Sequence, residues 1–104
     1  MKILWAEDAE WHRDQIGDYI FNRFGYQHLE VFIEQVDEAV NMIMRNPNIG
    51  PIDPLFNERL GTYRSIIING LSKLVYRIDD DTIHIVAFWD TRQEPLAQAA
   101  QVKE

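Results

Sequence analysis

The chain has no cysteine. Disulfides and thiolate chemistry are therefore excluded, and the composition fits a reducing compartment. No apolar run approaches the roughly 18 residues that a membrane span needs. The N-terminus lacks the basic-then-apolar pattern of a signal peptide, so a soluble, cytoplasmic protein without a membrane partner is expected. There is no glycine-rich phosphate loop, paired-histidine metal motif or serine nucleophile motif, and neither cofactor nor metal is expected. Basic residues are also scarce: ten Lys and Arg face seventeen Asp and Glu, for a net charge of −7. That balance argues against simple adhesion to nucleic acid, which Lys and Arg drive by neutralising phosphates. The acid is concentrated early, since residues 1–52 hold nine acidic and four basic side chains and residues 53–104 hold eight and six.

What remains is the composition of a folded chain. With 46% hydrophobic residues, five glycines and four prolines in 104 positions, it has the make-up of one globular domain, large enough to bury about two-thirds of its unfolded surface. "MKILWA" reads as a first strand. Glu7, Asp8 and Glu10 then place negative charge where a helix N-terminus favours it, with Asp8 as the candidate cap. Ile16, Tyr19, Ile20 and Phe24 recur at helical spacing up to Gly25, and Phe32, Ile33, Val36, Val40 and Ile43 form the stripe of a second helix. "RNPNIGP" ends it, because Pro47 and Pro51 cannot continue a helix interior. The short link implies an antiparallel helical hairpin. Trp5, Trp11 and Phe24 are expected in the core.

After a loop from about 46 to 61, the period changes to that of strands. Three antiparallel strands are expected at roughly 62–68, 71–78 and 82–89, joined at Asn69-Gly70 and at Asp79-Asp80-Asp81. The triple aspartate reads as a solvated turn, since it lacks the spaced oxygen ligands of a calcium loop. "LAQAAQVKE", residues 96–104, reads as a frayed or helical tail. The fold class is thus α+β, a β-α-α-β-β-β chain with the helical hairpin on one face of an antiparallel sheet.

If Asn69-Gly70 is a two-residue loop, Ile68 opposes Leu71, Ile66 opposes Lys73 and Arg64 opposes Val75. One face then collects Arg64, Lys73, Arg77, His84 and, at its end, Asp90. The other carries Tyr63, Ile67, Leu74, Tyr76, Ile78, Ile83, Ile85, Ala87 and Trp89, which the helices would cover. The basic face is left open, either as a local anion site in an acidic protein or as a solubilising surface. An odd-length turn would exchange the faces. His84 reads as a partner for neighbouring polar groups rather than a metal ligand.

The run "YRSIIINGLSKLVYRIDDDTIHIVAFWDTRQEP", preceded by a strand, a helical hairpin and "NPNIG", resembles the RelE/ParE family of toxins from bacterial type II toxin–antitoxin modules. The resemblance covers nearly the whole chain. It implies a toxin neutralised by a cognate protein antitoxin, in one branch cleaving mRNA on the ribosome and in another poisoning DNA gyrase. In the cleaving branch a ribose 2′-oxygen attacks the adjacent phosphate, and the match assigns Arg64 to phosphate stabilisation, with Arg77 and Arg92 as further cationic contacts. Where cutting members carry His or Tyr, this chain has Asp90-Thr91-Arg92-Gln93, and the lysine-rich loop of strongly ribonucleolytic members is absent. Asp90 would serve either as a base, given burial that raises its ordinary pKa of about 4, or as a support for Arg92 or Arg77. A degenerate, non-catalytic interaction component is the third implied reading.

Overall fold

A computed structural model describes residues 1–92 and 95–102, the side chains of 95–97 excepted. Gln93, expected in the polar cluster after the last strand, and positions 103 and 104 of the tail lie outside the described residues.

The chain runs β1 (Lys2–Trp5), α1 (Glu7–Phe24), α2 (Tyr26–Arg45), a 3-10 turn at Pro54–Phe56, β2 (Tyr63–Ile68), β3 (Ser72–Asp79), β4 (Thr82–Asp90) and α3 (Pro95–Gln101). The expected β-α-α-β-β-β order and the helical hairpin on the sheet are present. The sheet order is β1-β4-β3-β2, and β1 lies parallel to β4, so the sheet is mixed where an antiparallel one was expected. Ala6 N–H still donates to the Ile85 carbonyl at 2.8 Å, which continues this edge ladder right up to the helix. For that reason Ala6 is the N-cap of α1 and Asp8, the expected cap, sits inside the helix; no side chain caps this end. Glu7, Asp8 and Glu10 lie in the first turn, where the helix dipole favours them.

The helical hairpin supplies one side of the core. Ala9 of α1 and Phe32, Val36, Ala39 and Ile43 of α2 pack on Leu74, Tyr76, Ile83, Ile85 and Phe88 of the sheet. Two of the aromatics expected inside are outside, Trp11 at 58% and Phe24 at 55% exposed, and Ile33 of the expected α2 stripe is also exposed. Trp5 packs against the core.

The decisive departure is the β2–β3 register. The turn forms where expected, with Asn69 and Gly70 both at positive φ and Leu71 N–H bonded to the Ile68 carbonyl at 3.1 Å. Leu71 is nevertheless an extra residue, and the ladder resumes with Ile68 opposite Ser72, Ile66 opposite Leu74 and Arg64 opposite Tyr76. A one-residue slip moves a whole strand to the other face. The observed register is the one that buries Ile66 and Ile68 on the same side as Leu74 and Tyr76, whereas the two-residue register would set these apolar pairs on opposite faces. A second irregularity follows at Val86, which is extra between Ala87 opposite Val75 and Ile85 opposite Tyr76. Val86 and Ala87 both join the cluster on the side away from the helical hairpin.

That far side is not left open as expected. Phe56 stacks between Tyr63, at 4.8 Å, and Trp89, at 6.0 Å. The 3-10 turn and α3 cover them, with Ala99 buried in the same cluster. The sheet is therefore packed on both faces.

Candidate functional site

The expected basic face does not assemble. Arg64 lies on the helical-hairpin side, because it pairs with Tyr76, while Lys73 and Arg77 point to the opposite side. Arg64 Nη1 donates to the carbonyls of Gly50 at 2.9 Å and Asn48 at 3.3 Å. Beside it the Tyr76 hydroxyl donates to the Pro47 carbonyl at 2.7 Å and accepts the Gly50 N–H at 3.0 Å. Burial pushes this phenol above its ordinary pKa, while the Gly50 N–H and the Arg64 charge pull it back. The two side chains together hold the segment 47–50 that follows α2. Ile52 then forms an isolated bridge with Arg64, which leads the chain onto the edge of β2.

On the far side, Lys73 Nζ meets Asp53 Oδ2 at 2.6 Å, with the Asp53 carboxylate 2% exposed. The other Asp53 oxygen accepts the Leu55 N–H at 3.0 Å and caps the 3-10 turn. The ammonium lies 5.8 Å from the Trp89 ring centre. Sequence reasoning missed this pair: twenty positions separate its members, and "DPL" gives only a helix-start signal. Arg77 sits opposite His84 and reaches Asp79 at 3.6 Å. Arg59, over the Phe56 ring, donates to the Ala99 carbonyl at 2.8 Å and ties α3 down.

Asp90 and Arg92 occupy a third place. Asp90 shares its face with Ser72 and not with Lys73 or Arg77, and Trp89 points away from the helical hairpin, the reverse of the expected orientation for both. The Asp90 carboxylate accepts the Arg92 Nε at 3.0 Å, Nη2 at 2.7 Å and backbone N–H at 2.8 Å. These bonds hold the carboxyl below its ordinary pKa against a smaller opposing effect of burial. The pair adds stability above the unfolded-state pKa of about 3.9 and loses it as pH falls through the lower folded-state value. Denaturant unfolding between pH 6 and pH 2 should therefore show wild type more stable than Asp90→Asn at neutral pH, with the gap closing at the acid end. A pH-independent gap would remove the ion pair from the account.

Asp90 and Arg92 also line a groove of about 770 Å³ between the helical hairpin and the β2–β3 turn. Its wall includes Ile16, Tyr19 and Phe24 of α1, Val31 and Phe32 of α2, and Leu71 of the turn. Among the described residues no group of His, Asp or Glu is arranged to hold a metal, and no helix is long and apolar enough to cross a membrane.

The sequence profile of the ParE toxin of type II toxin–antitoxin systems, parDE, matches residues 3–95. The chain belongs to the ParE toxin family. Membership brings with it a cognate protein antitoxin. Two solved structures share the family architecture. A chain of the chromosomal ParDE toxin–antitoxin system from P. aeruginosa superposes with a TM-score of 0.69 at 20% identity, over 86% of this chain and 95% of that one. The YoeB dimer from Staphylococcus aureus gives 0.55 at 22% identity, over 84% and 92%. At such identities the likeness is one of fold. No curated protein matches the sequence significantly.

Proposed function

We propose that this ParE-family toxin acts by binding a protein target, DNA gyrase, and that it does not cut RNA. The observation that carries the reading is the dispersal of the side chains a nuclease would need. Arg64 is engaged with loop carbonyls on one side of the sheet, Arg77 stands on the other beside Asp79, and Arg92 is engaged with Asp90 at the rim of the groove. Phosphoryl transfer needs its cations gathered around one phosphate. A general base near neutral pH also needs a raised carboxyl pKa, and that of Asp90 is lowered. Overall acidity further disfavours approach to a ribosome's phosphate surface.

The test is induction of the chain in a bacterium with and without its antitoxin. Growth arrest with induced DNA damage, intact messages and rescue by the antitoxin is expected. Arg64→Ala should still arrest growth, since its expected defect is limited to the hold on segment 47–50. Cut messages that disappear in Arg64→Ala would overturn the reading.

A further inference from the structure

We propose that β1, the open edge of the sheet, pairs with the β1 of a second copy of this chain. The two strands run antiparallel about a two-fold axis at Leu4, one sheet continues through both copies, and Lys2 of each copy reaches an acidic pocket of the other. The inference does not depend on the proposed target.

The two edges of the sheet are finished differently. At β2 the chain covers its own edge: Ile52 bridges Arg64, the Asp53 N–H donates to the Tyr63 carbonyl at 2.8 Å, and the Ser65 N–H donates to the Pro51 carbonyl at 3.1 Å. β1 has no such cover, and among the described residues its one strand partner is β4. Lys2 and Ala6 turn their N–H groups inward, to the carbonyls of Asp81 at 2.9 Å and Ile85 at 2.8 Å. Alternation then turns the N–H and C=O groups of Ile3 and Trp5 outward, where they form a template for another strand. Edges of native sheets are commonly blocked by a proline, a bulge or an inward-pointing charge. β1 has neither proline nor bulge, and Lys2 lies at its end. Arg13, stacked 4.6 Å from the centre of the Trp5 ring, is already bonded to Asp14. Leu4, in the middle of this edge, is 53% exposed.

The edge is complementary to its own reverse. Antiparallel pairing centred on Leu4 sets Ile3 opposite Trp5, and the outward groups of each pair exchange both hydrogen bonds. It sets Leu4 against Leu4, so that each covers the other, and Lys2 opposite Ala6. Lys2 and Leu4 project away from the helical hairpin, because Ile3 and Trp5 pack on the hairpin side. Beside Ala6 lies a pocket of about 290 Å³, lined by Glu7, Asp8 and His12 of α1 and by Val86 and Trp89 of β4. No ion pair among the described residues engages Lys2, Glu7 or Asp8. The pairing supplies each with a partner, twice by symmetry. This local match of opposite charges works against the repulsion between two acidic chains and fixes the register. Because the shared edge is short, a dissociation constant of about 10–100 μM is expected.

Sedimentation velocity of the full-length chain, from about 1 to 300 μM, should show the mass rising towards twice that of the monomer. Leu4→Lys sets like charges directly opposite each other and should weaken the dimer at least about tenfold. Lys2→Glu should weaken it similarly; combined with Glu7→Lys and Asp8→Lys, which exchanges the signs, it should return to within about threefold of wild type. Positions 2, 4, 7 and 8 are exposed, and thermal melting checks that each variant keeps its fold. The register has its own test, since the chain has no cysteine. In Leu4→Cys the axis brings two Cα atoms to about 4.5 Å, within disulfide reach, whereas in Lys2→Cys they lie about 13 Å apart. Oxidised glutathione should therefore link Leu4→Cys into a covalent dimer at least about tenfold faster than Lys2→Cys. A chain that stays monomeric at about 300 μM, or a dimer that Leu4→Lys leaves intact, would overturn the edge pairing. Equal cross-linking of the two thiols would overturn the register, and charge exchange without rescue would overturn the place of Lys2. A monomer whose Leu4→Cys thiol is shielded from maleimide by the antitoxin alone would give this edge to the antitoxin and end the case for a second copy.

Discussion

Asp53→Ala is expected to lower the stability of the fold by about 3–5 kcal/mol, the loss typical of breaking one side of a buried ion pair. The carboxylate is almost fully enclosed, with one oxygen on Lys73 at 2.6 Å and the other on the Leu55 N–H at 3.0 Å. Removal leaves an ammonium against the Trp89 ring with its counter-ion gone, and it uncaps the turn that carries Phe56. Asp53→Asn keeps a cap acceptor while removing the charge, so it separates the two contributions. Asp53→Leu combined with Lys73→Met removes both charges and should recover most of the loss, because apolar replacement of a buried pair is often neutral. Urea unfolding monitored by tryptophan fluorescence checks all three. A loss under about 1 kcal/mol for Asp53→Ala would mean that the pair is solvated in solution.

The second large effect belongs to Gly50. A Cβ at this position would lie 2.8 Å from the Ser65 carbonyl oxygen and 3.0 Å from the Tyr76 hydroxyl. The first neighbour is backbone of a paired strand and cannot swing away. Gly50→Ala must therefore push segment 47–50 off the sheet, at about 1–3 kcal/mol for overpacking. The same shift strains the bonds that join Tyr76 to Pro47 and Gly50. Tyr76→Phe alone leaves the Gly50 N–H and the Pro47 carbonyl short of a partner, at about 1–3 kcal/mol each where burial is complete. Since both substitutions act on one network, the double variant should lose less than the sum of the singles. Strict additivity in urea unfolding would show that the loop is held some other way.

These two sites mark the boundary of what the sequence makes legible. Hydrophobic periodicity places α1, α2 and three of the four strands, and Asn69-Gly70 and Asp80-Asp81 place the tight turns within a residue. The same local cues do not count the bulges. Leu71 is one residue beyond a correctly placed turn, yet it carries Arg64 to the side opposite Lys73 and Arg77. The signal that resolves this is long-range agreement: Ile66 and Ile68 must share a face with Leu74 and Tyr76. Val86 repeats the lesson on β4, where an alternating pattern conceals two consecutive residues on one face. The parallel docking of β1 at the sheet edge and the burial of Asp53 with Lys73 depend on contacts between distant segments, and no local spacing announces them. The family resemblance reached the architecture because fold survives such shifts. The grouping of Arg64 with Lys73 and Arg77 on one face came instead from turn parity, which a single inserted residue changes.

The most direct measurement is made with purified components: plasmid supercoiling by DNA gyrase and message integrity on translating ribosomes, each with the full chain added and then with its antitoxin. Supercoiling is expected to be inhibited, messages to stay whole and the antitoxin to reverse the inhibition. Cleaved messages alongside undisturbed gyrase would contradict the gyrase reading.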